Sequence, residues 1–163
     1  MVFNIDYYSS PIGTIEIIAT NDSLTSVKFI ENINNVQQAI PKSGIINETI
    51  IQLDEYFNHK REKFNLPVQL NGTGFQVKVW NEILTIPFNR RRSYSEIAVK
   101  LGSIKKSRAV AAANGKNQLL IVIPCHRVIG ENGSMVGYAG GLWRKKWLLE
   151  HESREKQLAL ELN

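Results

Sequence analysis

The chain has 163 residues, 43% hydrophobic and 21% charged, with a formal net charge of +5. That balance fits one ordinary domain or two small ones with a packed core, and excludes a disordered chain. No apolar run approaches the roughly 20 residues of a bilayer span, and one cysteine with three scattered histidines offers neither an internal disulfide nor a zinc spacing.

"MVFNIDYYSSP" shows no basic segment leading into an apolar stretch, so the expectation is no secretory signal, no membrane and a reducing cytoplasm. The first 45 or so residues read as β. "TIEIIAT" and "SLTSVKFI" are β-branched runs separated by the turn cluster "NDS", a hairpin pattern, with a further turn at "SSPIG". In "NETIIQLDEYFNHK", Ile50, Leu53 and Phe57 form an amphipathic stripe. An extended "KFNLPVQLNGTG" then runs into Gly72 and Gly74, and the boundary is placed there, giving domains 1–72 and 73–163.

Charge divides at the same point. Residues 1–72 carry 5 Lys+Arg and 8 Asp+Glu, whereas residues 73–163 carry 15 and 7, a net of +8. A strongly basic half suggests a polyanionic partner, although a solvated basic face is the commoner meaning of such a surplus.

In the second half, Phe75, Val79 and Ile83 mark a helix closed by Pro87. Ser93 stands three residues before Glu96 in "SYSEIAVKLG", a capping-box pattern, and Gly102 supplies a natural stop. "KKSRAVAAANG" follows as an Ala-rich helix ended at Asn114–Gly115. Two short helices with a glycine in the link describe a helix-turn-helix, or a helical hairpin that merely packs. The second helix presents the small Ala109 and Ala111 to Ala113, so it suits close approach to a duplex but few base-discriminating hydrogen bonds.

"LLIVIPCHRVIG" holds the sole cysteine, Cys125, after a strand-like aliphatic run and Pro124. A lone cysteine is ordinarily a small buried hydrophobe. Here His126 and Arg127 follow it, and nearby positive charge favours the nucleophilic thiolate. Neighbours in an extended chain face opposite ways, so a bridging water between Cys125 and His126 is a reasonable go-between. A histidine base needs an orienting group, and Glu152 in "GLWRKKWLLEHE" is the candidate. Trp143 and Trp147 are read as core, and His59 and His151 as surface.

"IPCHRV" with "GYAGGLWRKKWLLEHE" resembles the bacterial O6-alkylguanine-DNA alkyltransferases, and "SYSEIA", "RAVAAANGKN" and "GYAGG" occur in that family's order and spacing. "SSPIG" and "LDEYF…FNLPV" carry the resemblance more weakly into the first half. The resemblance implies an α/β protein: a small N-terminal α/β domain, antiparallel sheet plus helix and ribonuclease H-like, then a mainly helical winged-helix, helix-turn-helix domain. It implies transfer of an alkyl group from guanine O6 in double-stranded DNA to Cys125, once and irreversibly, with no cofactor or metal, by a monomer. O4-methylthymine is a secondary substrate in this reading, and cooperative assembly on DNA is left open.

By position, the resemblance makes His126 the base acting through water, Glu152 its orienting carboxylate and Asn117 the brace of the active-site turn. Arg108 would replace the flipped nucleotide, and Tyr94 would crowd the target phosphate and hydrogen-bond the base. Tyr138, Ala139 and Val128 would line the pocket around the extruded guanine, with the thiol at its bottom. A hidden O6-methyl requires base extrusion, and an arginine plug suits the emptied stack. Taken singly, Arg108, Tyr94, Asn117 and Glu152 would each pass for ordinary surface or turn residues.

Two positions depart from the family's pattern. Gln118 follows Asn117 where proline is common, and Asn89–Arg90 replaces a frequent Gly-Glu, although asparagine tolerates the left-handed backbone. Related lesion binders without the activity carry tryptophan where Cys125 stands. A sequence-specific regulator with an incidental thiol and a multiple-turnover Cys-His hydrolase are the rival classes.

Overall fold

The computed structural model describes residues 1–31 and 44–162, the side chains of 154–161 excepted. The chain divides into two compact units, Met1–Asn71 and Gly72–Asn163.

The first unit is built on an antiparallel sheet in the order β1 (Asn4–Ser10), β2 (Gly13–Ala19), β3 (Leu24–Ile30). The expected hairpin is β2–β3, and "NIDYYSS" adds the third strand through a tight turn closed by Ser10 pairing with Gly13. Gly13 has φ 119°, a conformation that favours glycine. Alternate residues Ile15, Ile17 and Ala19 turn inward and are fully buried, as the two-residue period of a strand demands. Helix α1 (Gly44–Phe57) packs on β1 and β2. It buries Ile46, Leu53, Tyr56 and Phe57, with Ile50 half-buried. The extended segment after it bonds back to the sheet: Leu24 donates its amide to Pro67 and Gln69 donates to Leu24.

The second unit opens with α2 (Gly74–Leu84), started by a Thr73–Gln76 capping box in which each residue's side chain accepts from the other's amide. The Ser93–Glu96 box is formed as the sequence indicates and starts α3 (Tyr94–Lys100), just after the two-residue strand β4 (Arg92–Ser93). Gly102 at φ 115° ends that segment, a single 3-10 turn (Ile104–Lys106) follows, and α4 (Ser107–Gly115) completes the helix-turn-helix. Buried Trp80 on α2 donates its indole N–H to Ala113 at 2.8 Å, fixing α4 from behind. Cys125–Arg127 form a 3-10 turn, Val128–Ile129 form β5, parallel to β4, and α5 (Leu142–Glu161) closes the described chain. No described helix is long and apolar enough to cross a membrane.

Three expectations are corrected here. "LLIVI" is buried throughout but is not a strand. The amide of Val122 donates to Leu120 at 2.8 Å around Ile121, whose φ is 71°: a γ-turn of the strained hand. A β-branched residue held there costs on the order of 1–3 kcal/mol, so the surrounding packing must impose it. Trp143 is 57% exposed rather than core, with the Arg144 guanidinium 4.5 Å from its ring centroid. His151 is buried rather than surface, stacked on Trp147 with ring centroids 4.8 Å apart.

Candidate active site

The chain reaches the thiol through a second tight turn. The Cys125 amide donates to Ile123 at 2.7 Å around Pro124 (φ −78°, ψ 60°), an inverse γ-turn whose φ the proline ring presets. Asn117 holds the preceding loop from inside: its Nδ2 donates to Ile123 at 3.0 Å, and its Oδ1 accepts from the Leu119 amide at 2.9 Å. These bonds are made with Gln118 in place, so the turn is braced without a proline there.

Cys125 is 1% exposed. Burial pushes its thiol up to about 11, against the opposing pull of the Asn117 hydrogen bond and the charge of Lys145. Burial thus outweighs the positive charge that favours the thiolate. Arg127 does not face the sulfur; it is occupied by a carboxylate. Burial therefore favours the protonated thiol in the free protein.

His126 lies in the same 3-10 turn and is fully buried. Its Nε2 is 2.8 Å from Oε1 of Glu152, whereas its Nδ1 has no hydrogen-bond partner among the described residues. Burial holds the imidazole below its ordinary pKa, more than offsetting the neighbouring Glu152 charge, so the ring is neutral and Nδ1 is its free acceptor. Burial alone would raise Glu152. The hydrogen bonds from His126 and Arg127, with the charge of the Arg127 guanidinium, reverse that and hold it well below the usual carboxylate range.

Sequence reasoning missed how Glu152 itself is held. Arg127 donates Nη2 to Oε1 at 2.9 Å and Nε to Oε2 at 3.1 Å, while its Nη1 donates to Ile86 at 2.7 Å. The Asn89 amide adds a further bond to Oε2 at 3.1 Å. Asn89 sits at φ 57°, the left-handed backbone its residue type tolerates. Asn114, also missed, is buried; its Nδ2 is 3.5 Å from the Cys125 carbonyl and its side chain bonds the Tyr94 hydroxyl.

The remaining candidates are distributed around this cluster. Tyr94, at the start of α3, donates its hydroxyl to Val136 at 2.9 Å. Tyr138 has a buried hydroxyl with no hydrogen-bond partner among the described residues, close enough to Cys125 for their charges to interact. Burial raises its pKa well above the ordinary value. Val128 is buried directly after the thiol turn, and Ala139 is exposed on the loop beside Tyr138. Arg108 is exposed in the first turn of α4, outside the buried cluster. Among the described residues, no group of three or more His, Cys, Asp or Glu is placed to hold a metal ion.

Fold and site together define a helix-turn-helix protein with a buried cysteine beside a histidine that is held by a glutamate. Comparison with known proteins is specific. The family model described as "6-O-methylguanine DNA methyltransferase, DNA binding domain" matches residues 74–154, and the ribonuclease-like domain of the same family matches residues 5–70. The methylated-DNA–protein-cysteine methyltransferase of Mycobacterium leprae is 39% identical over 155 residues, covering 94% of each chain. The crystal structure of Mycobacterium tuberculosis O6-methylguanine methyltransferase superimposes with a TM-score of 0.81 at 37% identity, over 93% of each chain. The structure of the M. tuberculosis protein in complex with DNA gives 0.82 at 39%, over 92% of this chain and 93% of that one. The chain belongs to the 6-O-methylguanine DNA methyltransferase family, and its enzyme class is that of the methylated-DNA–protein-cysteine methyltransferases.

Proposed function

We propose that this protein repairs O6-methylguanine in double-stranded DNA by rotating the damaged base out of the helix and taking its methyl group onto Cys125, once per molecule. The observation that carries the reading is the His126 ring, fixed by Glu152 at 2.8 Å with Nδ1 free, adjacent to Cys125 in the same turn. In the reaction the methyl–O6 bond breaks as the methyl–Sγ bond forms. The thiol proton passes, through a water, to His126; guanine leaves with the electron pair of the broken bond and takes a proton from water at the ring, and the imidazolium returns its proton to solvent. Burial holds the thiol above its ordinary value, so its proton leaves as the methyl is transferred, and the neutral His126 ring in the same turn is the acceptor. The resulting thioether has no ready leaving group, so no second cycle follows.

Residues 73–163 bind DNA and accept the alkyl group in this reading, and residues 1–72 form the N-terminal domain. Arg108 fills the stack left by the flipped base. Tyr94 exchanges its bond to Val136 for one to the base. Tyr138, Ala139 and the backbone of Val128 line the pocket, and the unpaired Tyr138 hydroxyl supports a polar guest there. The protein works as a monomer, and the lone thiol suits a reducing cytoplasm. O4-methylthymine, with the same alkyl–oxygen leaving chemistry, is a slower substrate.

Stoichiometry separates this from a hydrolase. Successive additions of methylated duplex should yield transfer that stops at one methyl per protein, with normal guanine restored in the DNA. Continued turnover would overturn the proposal.

A further inference from the structure

Lys145 on α5 is 0% exposed, yet it carries an ammonium. Its Nζ donates to the carbonyls of Val128 at 2.6 Å, Val136 at 3.1 Å and Gly137 at 3.2 Å. A lysine has three N–H donors, and here all three meet backbone acceptors. An ammonium buried against neutral carbonyls is expensive, and burial lowers this one to about 8, against the raising influence of Cys125. An apolar side chain of similar length would spare that cost.

What the ammonium joins is specific. Val128 follows the 3-10 turn that carries Cys125 and His126. Val136 and Gly137 belong to the segment leading to Tyr138 and Ala139. The Val136 carbonyl also accepts the Tyr94 hydroxyl, and Nζ lies 6.0 Å from the Tyr94 ring centroid. The same segment is tied to α3 a second time, by the Ser95 hydroxyl donating to Glu131.

We propose that Lys145 is a positioning residue for alkyl transfer: its ammonium straps the thiol-bearing turn to the loop carrying Tyr138, and so fixes the two sides of the base pocket at their working separation. This rests on the proposed function, since it assumes that a base enters between those two sides. The strap acts on whichever base enters, and not on the grip on DNA.

The test is Lys145→Met, in the full chain, against unmodified duplex, methylated duplex and free O6-methylguanine. The variant is expected to stay folded and to bind unmodified duplex within twofold of the wild type. Methyl transfer from duplex and from free base should fall by the same factor, about tenfold or more, as for the loss of hydrogen bonds from a charged donor. The groups near Lys145 are Cys125 and His126 on the turn and the Tyr94 ring on α3. The ratio of wild-type to variant rates should therefore shrink as pH rises through about 8, where the wild-type lysine loses its proton; a merely structural lysine would leave that ratio flat. If Lys145→Met does not fold, Lys145→Gln takes its place with the same readouts. Full-rate transfer by the variant, a loss confined to duplex, a flat ratio, or failure of both variants to fold each overturns the proposal. A wild-type protein that transfers no methyl would instead sink the proposed function.

Discussion

Replacing Glu152 with glutamine should cost the fold about 3–5 kcal/mol, the usual penalty for removing one member of a buried ion pair. Glu152 is 1% exposed and receives His126, Arg127 and the Asn89 amide. Without its charge, the buried Arg127 guanidinium loses its counter-ion, keeping the Ile86 carbonyl and the face of Phe88, 5.8 Å from its ring centroid. Urea unfolding of Glu152→Gln, Arg127→Met and the double variant checks this: the double variant should be more stable than the sum of the two single losses allows. The pH dependence has a definite sign. A carboxylate held below its ordinary value of 4.5 contributes stability that is present above that pH and lost as the solution becomes more acidic. His126, held below 6.5, adds a loss in the same direction as pH falls below that value. Wild-type stability should therefore decline with acidification from about pH 6.5 downward, and Glu152→Gln should remove the carboxylate part. Equal acid sensitivity in both proteins would contradict this account of the site.

Arg108→Ala should lose repair of duplex DNA by about a hundredfold while reacting with free O6-methylguanine within about twofold of the wild-type rate. Base extrusion costs a few kcal/mol, and 1.4 kcal/mol is a factor of ten, so an unaided flip weighs that much on duplex and nothing on free base. Arg108 is exposed and outside the buried cluster, so its loss should leave stability within about 0.5 kcal/mol. Single-turnover rates on the two substrates decide the matter, and matching losses on both would remove Arg108 from the flipping step.

The parts of the fold that were legible in the sequence are those fixed by local chemistry. Ser93 and Glu96 cap α3 because a hydroxyl and a carboxylate three residues apart satisfy each other's amides wherever a helix begins. Ile50, Leu53 and Phe57 share a face because helix geometry places them there. The "LLIVI" run was misread because β-branched aliphatics report burial, and here burial came in a looped segment whose Ile121 takes a positive φ that only tertiary packing enforces. Trp143 and Trp147 share an i, i+4 spacing that is equally compatible with one lying outside. Arg144 covers the ring of Trp143 there, and Trp147 shelters His151 instead.

The chemistry of the site was legible by resemblance more than by physics. Glu152 lies 26 residues from His126 along the chain, and nothing local marks it as that ring's partner. Arg127 reads as an activator of the neighbouring thiol by adjacency in sequence, which is not adjacency in space. In the structure it turns to Glu152, and burial rather than Arg127 governs the sulfur. Lys145 and Asn114 escaped notice because a lysine in a charged helix and an asparagine before a glycine are ordinary surface residues by type. Only their burial and their backbone partners set them apart.

The claim beneath all of this is that the buried sulfur of Cys125 is where the alkyl group ends. Protein mixed with labelled O6-methylguanine duplex, digested and weighed peptide by peptide, tests it. The account predicts one added methyl on the peptide containing Cys125 and none in Cys125→Ser; label appearing on another residue, in the serine variant, or as a released small molecule would contradict it.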